Sequence, residues 1–158
     1  RHGAFLRLGR PDQEAIDRAI EAVDLGALQE AAVADLSGGE FERALLARSL
    51  AQEASMMLLD EPASALDPVH RLAFARVLRE QVRASRGVAI VSTHDLNLAA
   101  QCADSVVLLA EGKIRAHGPI AEVYRESELA VLYGDGLFLG RRWSEIAGEE
   151  RPWVLAWQ

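Results

Sequence analysis

At 158 residues, half of them apolar and 26% charged, the chain is long enough for one hydrophobic core and has the ordinary balance of a globular domain. No apolar run reaches the roughly 18 residues of a membrane-spanning helix, so membrane association is expected through a partner. The net charge of −7 without a Lys/Arg cluster argues against a nucleic-acid partner. The single cysteine, Cys102, excludes an internal disulfide and a multi-cysteine metal site; among Ala99, Ala100 and Ala103 it reads as a small core residue.

The opening Arg1-His2-Gly3-Ala4-Phe5 has neither an initiator Met nor the apolar stretch of a signal peptide, so the chain reads as a piece of a longer one. After Pro11 and Asp12, apolar residues at Ile16, Ala19, Ile20 and Val23 follow one helix face, with Gly26 as the expected stop. Ser37-Gly38-Gly39 opens a second helix, running to about Gln52, in which Phe41, Ala44, Leu45 and Arg48 share a face. Met56 to Leu59 is an unbroken apolar run expected as a strand buried on both faces and stopped by Pro62.

A third helix is expected after Pro68, through Phe74, Val77, Leu78 and Val82. Gly87 then leads into a second buried strand, Val88 to Val91, ending at Ser92-Thr93-His94-Asp95. A helix through Leu96, Ala99, Ala100 and Ala103 precedes a strand at Val106 to Leu109 and a hairpin-like turn at Glu111-Gly112-Lys113 into Ile114. This alternation predicts an α/β fold with a mostly parallel sheet, in which polar functional residues gather at the carboxyl ends of strands. Beyond about Ser127 the pattern weakens: a short helix from Leu129 to Tyr133 and edge strands at Leu137 to Leu139 and Trp153 to Trp157 make a small appendage.

Four polar clusters carry chemistry. The N–H groups at a helix start behind Ser37-Gly38-Gly39-Glu40 form an anion site with the Ser37 hydroxyl as a further donor, although a serine N-cap with a flexible glycine pair explains the same residues. Of the adjacent carboxylates Asp60 and Glu61, one can support Mg²⁺ through its water shell and the other can activate a water for attack on phosphorus. Ending a strand in solvent is the plainer alternative for that pair. Ser64-Ala65-Leu66-Asp67 suits a turn that starts a helix, and His94 is either a solvated turn histidine or a hydrogen-bonding partner for a γ-phosphate.

In their order and spacing, Leu36-Ser37-Gly38-Gly39-Glu40, Leu58-Leu59-Asp60-Glu61-Pro62, Ser64-Ala65-Leu66-Asp67 and Ser92-Thr93-His94-Asp95 resemble the signature motif, Walker B, D-loop and H-loop of the ATP-binding-cassette (ABC) ATPases. The resemblance runs from about Leu36 to Tyr124 and implies a P-loop NTPase-like sheet with a helical signature segment. It implies two ATPase subunits pairing as a homodimer around two ATP molecules. Ser37, Gly38, Gly39 and Glu40 would then contact ATP across the dimer, Glu40 standing where Gln is commoner. Asp60 would support Mg²⁺, Glu61 would be the general base, Asp67 would communicate across the dimer and His94 would contact the γ-phosphate.

No Gly-x-x-x-x-Gly-Lys-Ser/Thr stretch is present, and the family places that phosphate loop and its glutamine loop upstream of the signature motif. The expected division is therefore residues 1–126 as the C-terminal part of an ABC ATPase domain, with the helical segment at about 10–53 and the catalytic core at about 54–126, followed by the appendage 127–158. His94 to Asp104, Gly112-Lys113 and Gly118-Pro119 look like importers of iron–siderophore, haem or cobalamin, with Leu6 to Gly9 compatible. That likeness implies an ATPase at the cytoplasmic face of the membrane, bound to permease subunits and served indirectly by a substrate-binding protein. A soluble ABC ATPase, or a module that only completes another subunit's ATP site, is the alternative.

Overall fold

The computed structural model describes residues 9–64 and 66–156, so expectations for Arg1 to Leu8, Ala65 and Trp157 lie outside the described residues. The chain divides into two compact units, Arg1–Ser92 and Thr93–Gln158.

In the first unit, helix α1 spans Arg10–Ala22 with Pro11 near its start, where a missing N–H costs nothing, and buries Ala15 and Ala19. It ends earlier than expected: Asp24, not Gly26, takes the left-handed turn at φ 54°, and Gly26–Leu28 forms a short 3-10 turn. A second such turn, Val33–Asp35, leads to α2, Gly38–Ala51, which packs against α1. The buried side of α2 is Leu46, Ala47 and Leu50, not the expected face, and both Phe41 and Arg48 are exposed. Apolar residues surround most of this helix, so periodicity alone cannot select the packed face.

Strands β1, Met56–Asp60, and β2, Val88–Ser92, pair in parallel from Met56 opposite Val88 to Asp60 opposite Ser92. Helix α3, Pro68–Ser85, connects them, with Phe74, Ala75 and Leu78 buried; burying a side chain such as Phe74 contributes roughly 1.5–3 kcal/mol. The expectation of strands buried on both faces is corrected. Met57 is buried, but Leu58 is 72% exposed, and Met56, Val88 and Ile90 are exposed with it. Side chains alternate across a strand, so one face of this ribbon is packed and the other is a bare apolar stripe among the described residues.

At the junction of α3 and β2, Arg86 closes the helix in the left-handed region, and Gly87 follows. A Cβ on Gly87 would lie 2.5 Å from the Ser55 carbonyl oxygen, so only glycine permits the 2.8 Å bond from the Val88 N–H to that oxygen.

The second unit begins with α4, Leu96–Cys102. Strands β3, Ser105–Ala110, and β4, Lys113–Pro119, form an antiparallel hairpin whose turn residues Glu111 and Gly112 both have positive φ, the twist a two-residue hairpin requires. Helices α5, Ile120–Val123, and α6, Glu126–Tyr133, precede a second antiparallel hairpin of β5, Leu137–Ser144, and β6, Glu149–Ala156. Four-residue α5 was not anticipated, being too short to show a period. The α/β class holds, with the parallel pairing carried by β1 and β2 and the other two pairs antiparallel.

Ala100, Leu108, Ile120, Val123, Tyr124, Leu129 and Val154 form the core of this unit. The terminal hairpin is fastened to α4: the Asn97 side-chain amide donates to the Val154 carbonyl at 2.8 Å and accepts from its N–H at 2.9 Å. Cys102 is half-buried, with its thiol donating to the Leu98 carbonyl at 3.1 Å, and so sits beside the core rather than in it.

Candidate functional site

Ser37 caps α2 in extended conformation, and its local chemistry is a closed exchange with Glu40. The Ser37 N–H and hydroxyl donate to Glu40 Oε2 at 2.7 and 2.6 Å, while Ser37 Oγ accepts from the Glu40 N–H at 3.4 Å. These bonds, the hydroxyl's first, hold the Glu40 carboxyl below its ordinary range. The N–H groups of Gly38 and Gly39 stand at the first helical positions, where the helix itself offers no acceptor. A Cβ on Gly38 would meet nothing within 4 Å, so packing within the chain does not call for glycine there.

The second construction lies where β1 and β2 end together. The pairing sets Asp60 opposite Ser92, and the Ser92 hydroxyl donates to Asp60 Oδ1. The next residue, Glu61, turns into the left-handed region at φ 44°, which for a non-glycine residue costs about 1–3 kcal/mol. Its N–H is held by Ser92, donating to the carbonyl at 3.1 Å and to the hydroxyl at 3.2 Å. This turn, rather than Pro62, ends the strand. It brings two carboxylate residues and one hydroxyl to a strand end from positions far apart in sequence.

The chain continues through a turn in which the Ser64 N–H donates to the Glu61 carbonyl at 3.2 Å, and reaches Asp67. Asp67 caps α3, its Oδ1 accepting from the N–H groups of Val69 and His70 at 2.9 and 3.0 Å while Oδ2 lies 2.6 Å from His70 Nδ1. The His70 backbone bond, followed by its side chain, lowers the Asp67 pKa. In the second unit His94 is exposed and sits between Thr93 and Asp95; the Asp95 N–H donates to Thr93 Oγ1 at 3.1 Å, and the Asp95 carboxylate caps α4.

The structure therefore joins Asp60 and Glu61 through Ser92, keeps Ser37 to Glu40 as a separate helix start in the same unit, and sets His94 in the other unit. Sequence reasoning gave no part to Ser92 or His70. The available signals were a hydroxyl residue closing an apolar strand and a histidine three residues after a capping aspartate. Among the described residues no cluster of three His, Cys, Asp or Glu forms a metal cage. A single exposed carboxylate with a hydroxyl neighbour suits Mg²⁺, which retains water and phosphate oxygens as most of its ligands.

The ABC transporter family profile matches residues 5–64. The hemin import ATP-binding protein HmuV of Thermobifida fusca is 44% identical over 123 residues, covering 77% of this chain and 43% of its own length. The ferric enterobactin transport ATP-binding protein FepC of Escherichia coli is 37% identical over 130 residues, covering 82% of this chain and 48% of its own. The chain thus spans less than half the length of these relatives. A chain of an ABC transporter solved in an inward-facing conformation superposes with a TM-score of 0.77 at 23% identity, covering 99% of this chain and 62% of that one, which establishes the fold. On these matches the chain belongs to the ABC transporter family.

Proposed function

We propose that residues 1–158 work within the ATP-hydrolysing subunit of a membrane importer, with residues 1–126 as the C-terminal part of the ATPase domain and 127–158 as an appendage. The observation that carries this reading is the strand end: Asp60 oriented by Ser92 beside a strained, left-handed Glu61. Glu61 is one of five described non-glycine residues at positive φ, with Asp24, Glu53, Arg86 and Glu111; what sets it apart is that Ser92 holds its N–H and the Asp60 carboxylate together. The bare position at Gly38 supports a second contact surface, since no packing among the described residues calls for that glycine.

On this reading Glu61 accepts a proton from the attacking water and Asp60 supports the metal. Mg²⁺, when bound with ATP, neutralises charge on the β- and γ-phosphates. His94 donates a hydrogen bond to the γ-phosphoryl group as its charge develops. Ser37, the Gly38 and Gly39 N–H groups and the Glu40 cap form the face that closes on the ATP of a second subunit, and Asp67 lies on the same dimer contact. For Ser37 to donate to a phosphate its hydroxyl must leave Glu40, so ATP exchanges one acceptor for another there.

The named cargos of the relatives, hemin and ferric enterobactin, support uptake of a metal chelate or haem-type compound, with cobalamin-like cargo in the same class. The partners on this reading are permease subunits and, through them, a substrate-binding protein, with the ATPase held at the cytoplasmic face of the membrane. Phosphate release from Mg-ATP by the complete protein tests the reading. Wild type hydrolyses, and Glu61→Gln binds ATP but scarcely turns over; near-normal turnover by Glu61→Gln overturns the general-base assignment.

A further inference from the structure

We infer that Ser92 is a positioning residue for the metal-supporting carboxylate, holding Asp60 and the Glu61 turn in one rigid unit at the end of the parallel strand pair. This rests on the ATPase reading above. A hydroxyl has one proton to donate and lone pairs to accept with. Both capacities of Ser92 are used: the proton goes to Asp60 Oδ1, and the oxygen receives the Glu61 N–H at 3.2 Å. Asp60 and Ser92 are opposite one another in the parallel register, so the contact is built into the backbone and needs no long side chain.

Two consequences follow from that geometry. With Oδ1 held by a neutral donor, the carboxylate plane is fixed while its charge is kept, which suits an oxygen that must meet a hydrated cation in one orientation. The Glu61 N–H is also held at 3.1 Å by the Ser92 carbonyl, a bond any residue at this position would keep. Loss of the hydroxyl therefore frees the Asp60 carboxylate more than it disturbs the Glu61 turn. The effect belongs to metal binding before it belongs to folding.

The test is ATP-dependent Mn²⁺ binding to the complete protein, followed by electron paramagnetic resonance, in wild type, Ser92→Ala and Ser92→Thr. Ser92→Ala is expected to raise the metal concentration for half-saturation on the order of 10-fold, with metal-free ATP affinity and the thermal midpoint near wild type. Ser92→Thr restores binding, because it keeps the hydroxyl and a β-branched side chain suits a strand. Half-saturation in Ser92→Ala within about twofold of wild type overturns the assignment. Should Ser92→Ala fold poorly, Ser92→Cys, with its weaker donor, is read against the same two outcomes. Wild type that binds no Mn²⁺ with ATP would instead refute the ATPase reading on which the inference stands.

Discussion

The start of α2 and the end of β1 both present polar groups to solvent, but they are built on opposite principles. At Ser37 the described side-chain bonds close within the Ser37-to-Glu40 stretch, so the cap forms as the helix forms. At Asp60 and Glu61 the shaping bonds come from Ser92, 32 and 31 residues further along the chain, and exist only once the parallel pair has assembled. The first site is locally relaxed and shows, at Gly38, a glycine that its own packing does not need. The second is strained and depends on tertiary structure. On the proposed function, the first would be the surface offered to a second subunit and the second the site that sets a proton acceptor beside a metal.

The largest expected effects fall on the strained side. Glu61→Gln should lower single-turnover phosphate release by about 10²- to 10⁴-fold, the usual scale for a lost general base. Glu61→Gly sharpens the contrast: glycine accepts φ 44° freely, so thermal stability should hold or rise by up to about 1 kcal/mol while hydrolysis is lost. A loss of stability together with activity would mean that the turn is not strained. His94→Ala should slow turnover roughly 100-fold with ATP affinity near wild type. Collapse of affinity with normal turnover of bound ATP would remove His94 from the γ-phosphate.

On the relaxed side the effects separate differently. Gly38→Ala should stabilise the chain by up to about 1 kcal/mol, since alanine favours a helix and its Cβ meets nothing, yet weaken ATP-driven pairing of subunits. Unchanged pairing would mean that no ligand approaches Gly38. The smallest effect is on pH. The carboxyls of Glu40 and Asp67 have folded pKa values below their reference values of 4.5 and 3.8, so their contribution is complete above those values and is lost as pH falls through the lower folded ones. Thermal midpoints should fall on acidification below about pH 4.5, and Glu40→Gln should flatten the curve. A wild-type midpoint indifferent to acid would contradict the bonding described at both caps.

The same division explains what could be read from the sequence. The Ser37 cap, the start of α3 after Asp67 and the hairpin at Glu111-Gly112 depend on neighbouring residues, and their patterns are visible in a short window. Met56, Leu58, Val88 and Ile90 were expected to be buried because an apolar run looks alike whether one face or both are covered. Ser92 was seen only as part of the Ser92-Thr93-His94-Asp95 motif, with no role of its own, for the same kind of reason. Its role comes from standing opposite Asp60 in the register, which nothing local encodes. Asp24 and Glu61 adopt left-handed backbone that glycine would have advertised and that acidic residues do not.

The central claim is that the helix start at Ser37 and the strand end at Asp60 and Glu61 act on ATP from opposite sides of a pair of subunits. Light scattering of the complete protein carrying Glu61→Gln, with and without ATP, tests this most directly. The account predicts one subunit mass without ATP and twice that mass with it, the pairing being lost when Gly38→Ala is added. A single-subunit mass at saturating ATP, or a pair that forms equally well without nucleotide, would contradict it.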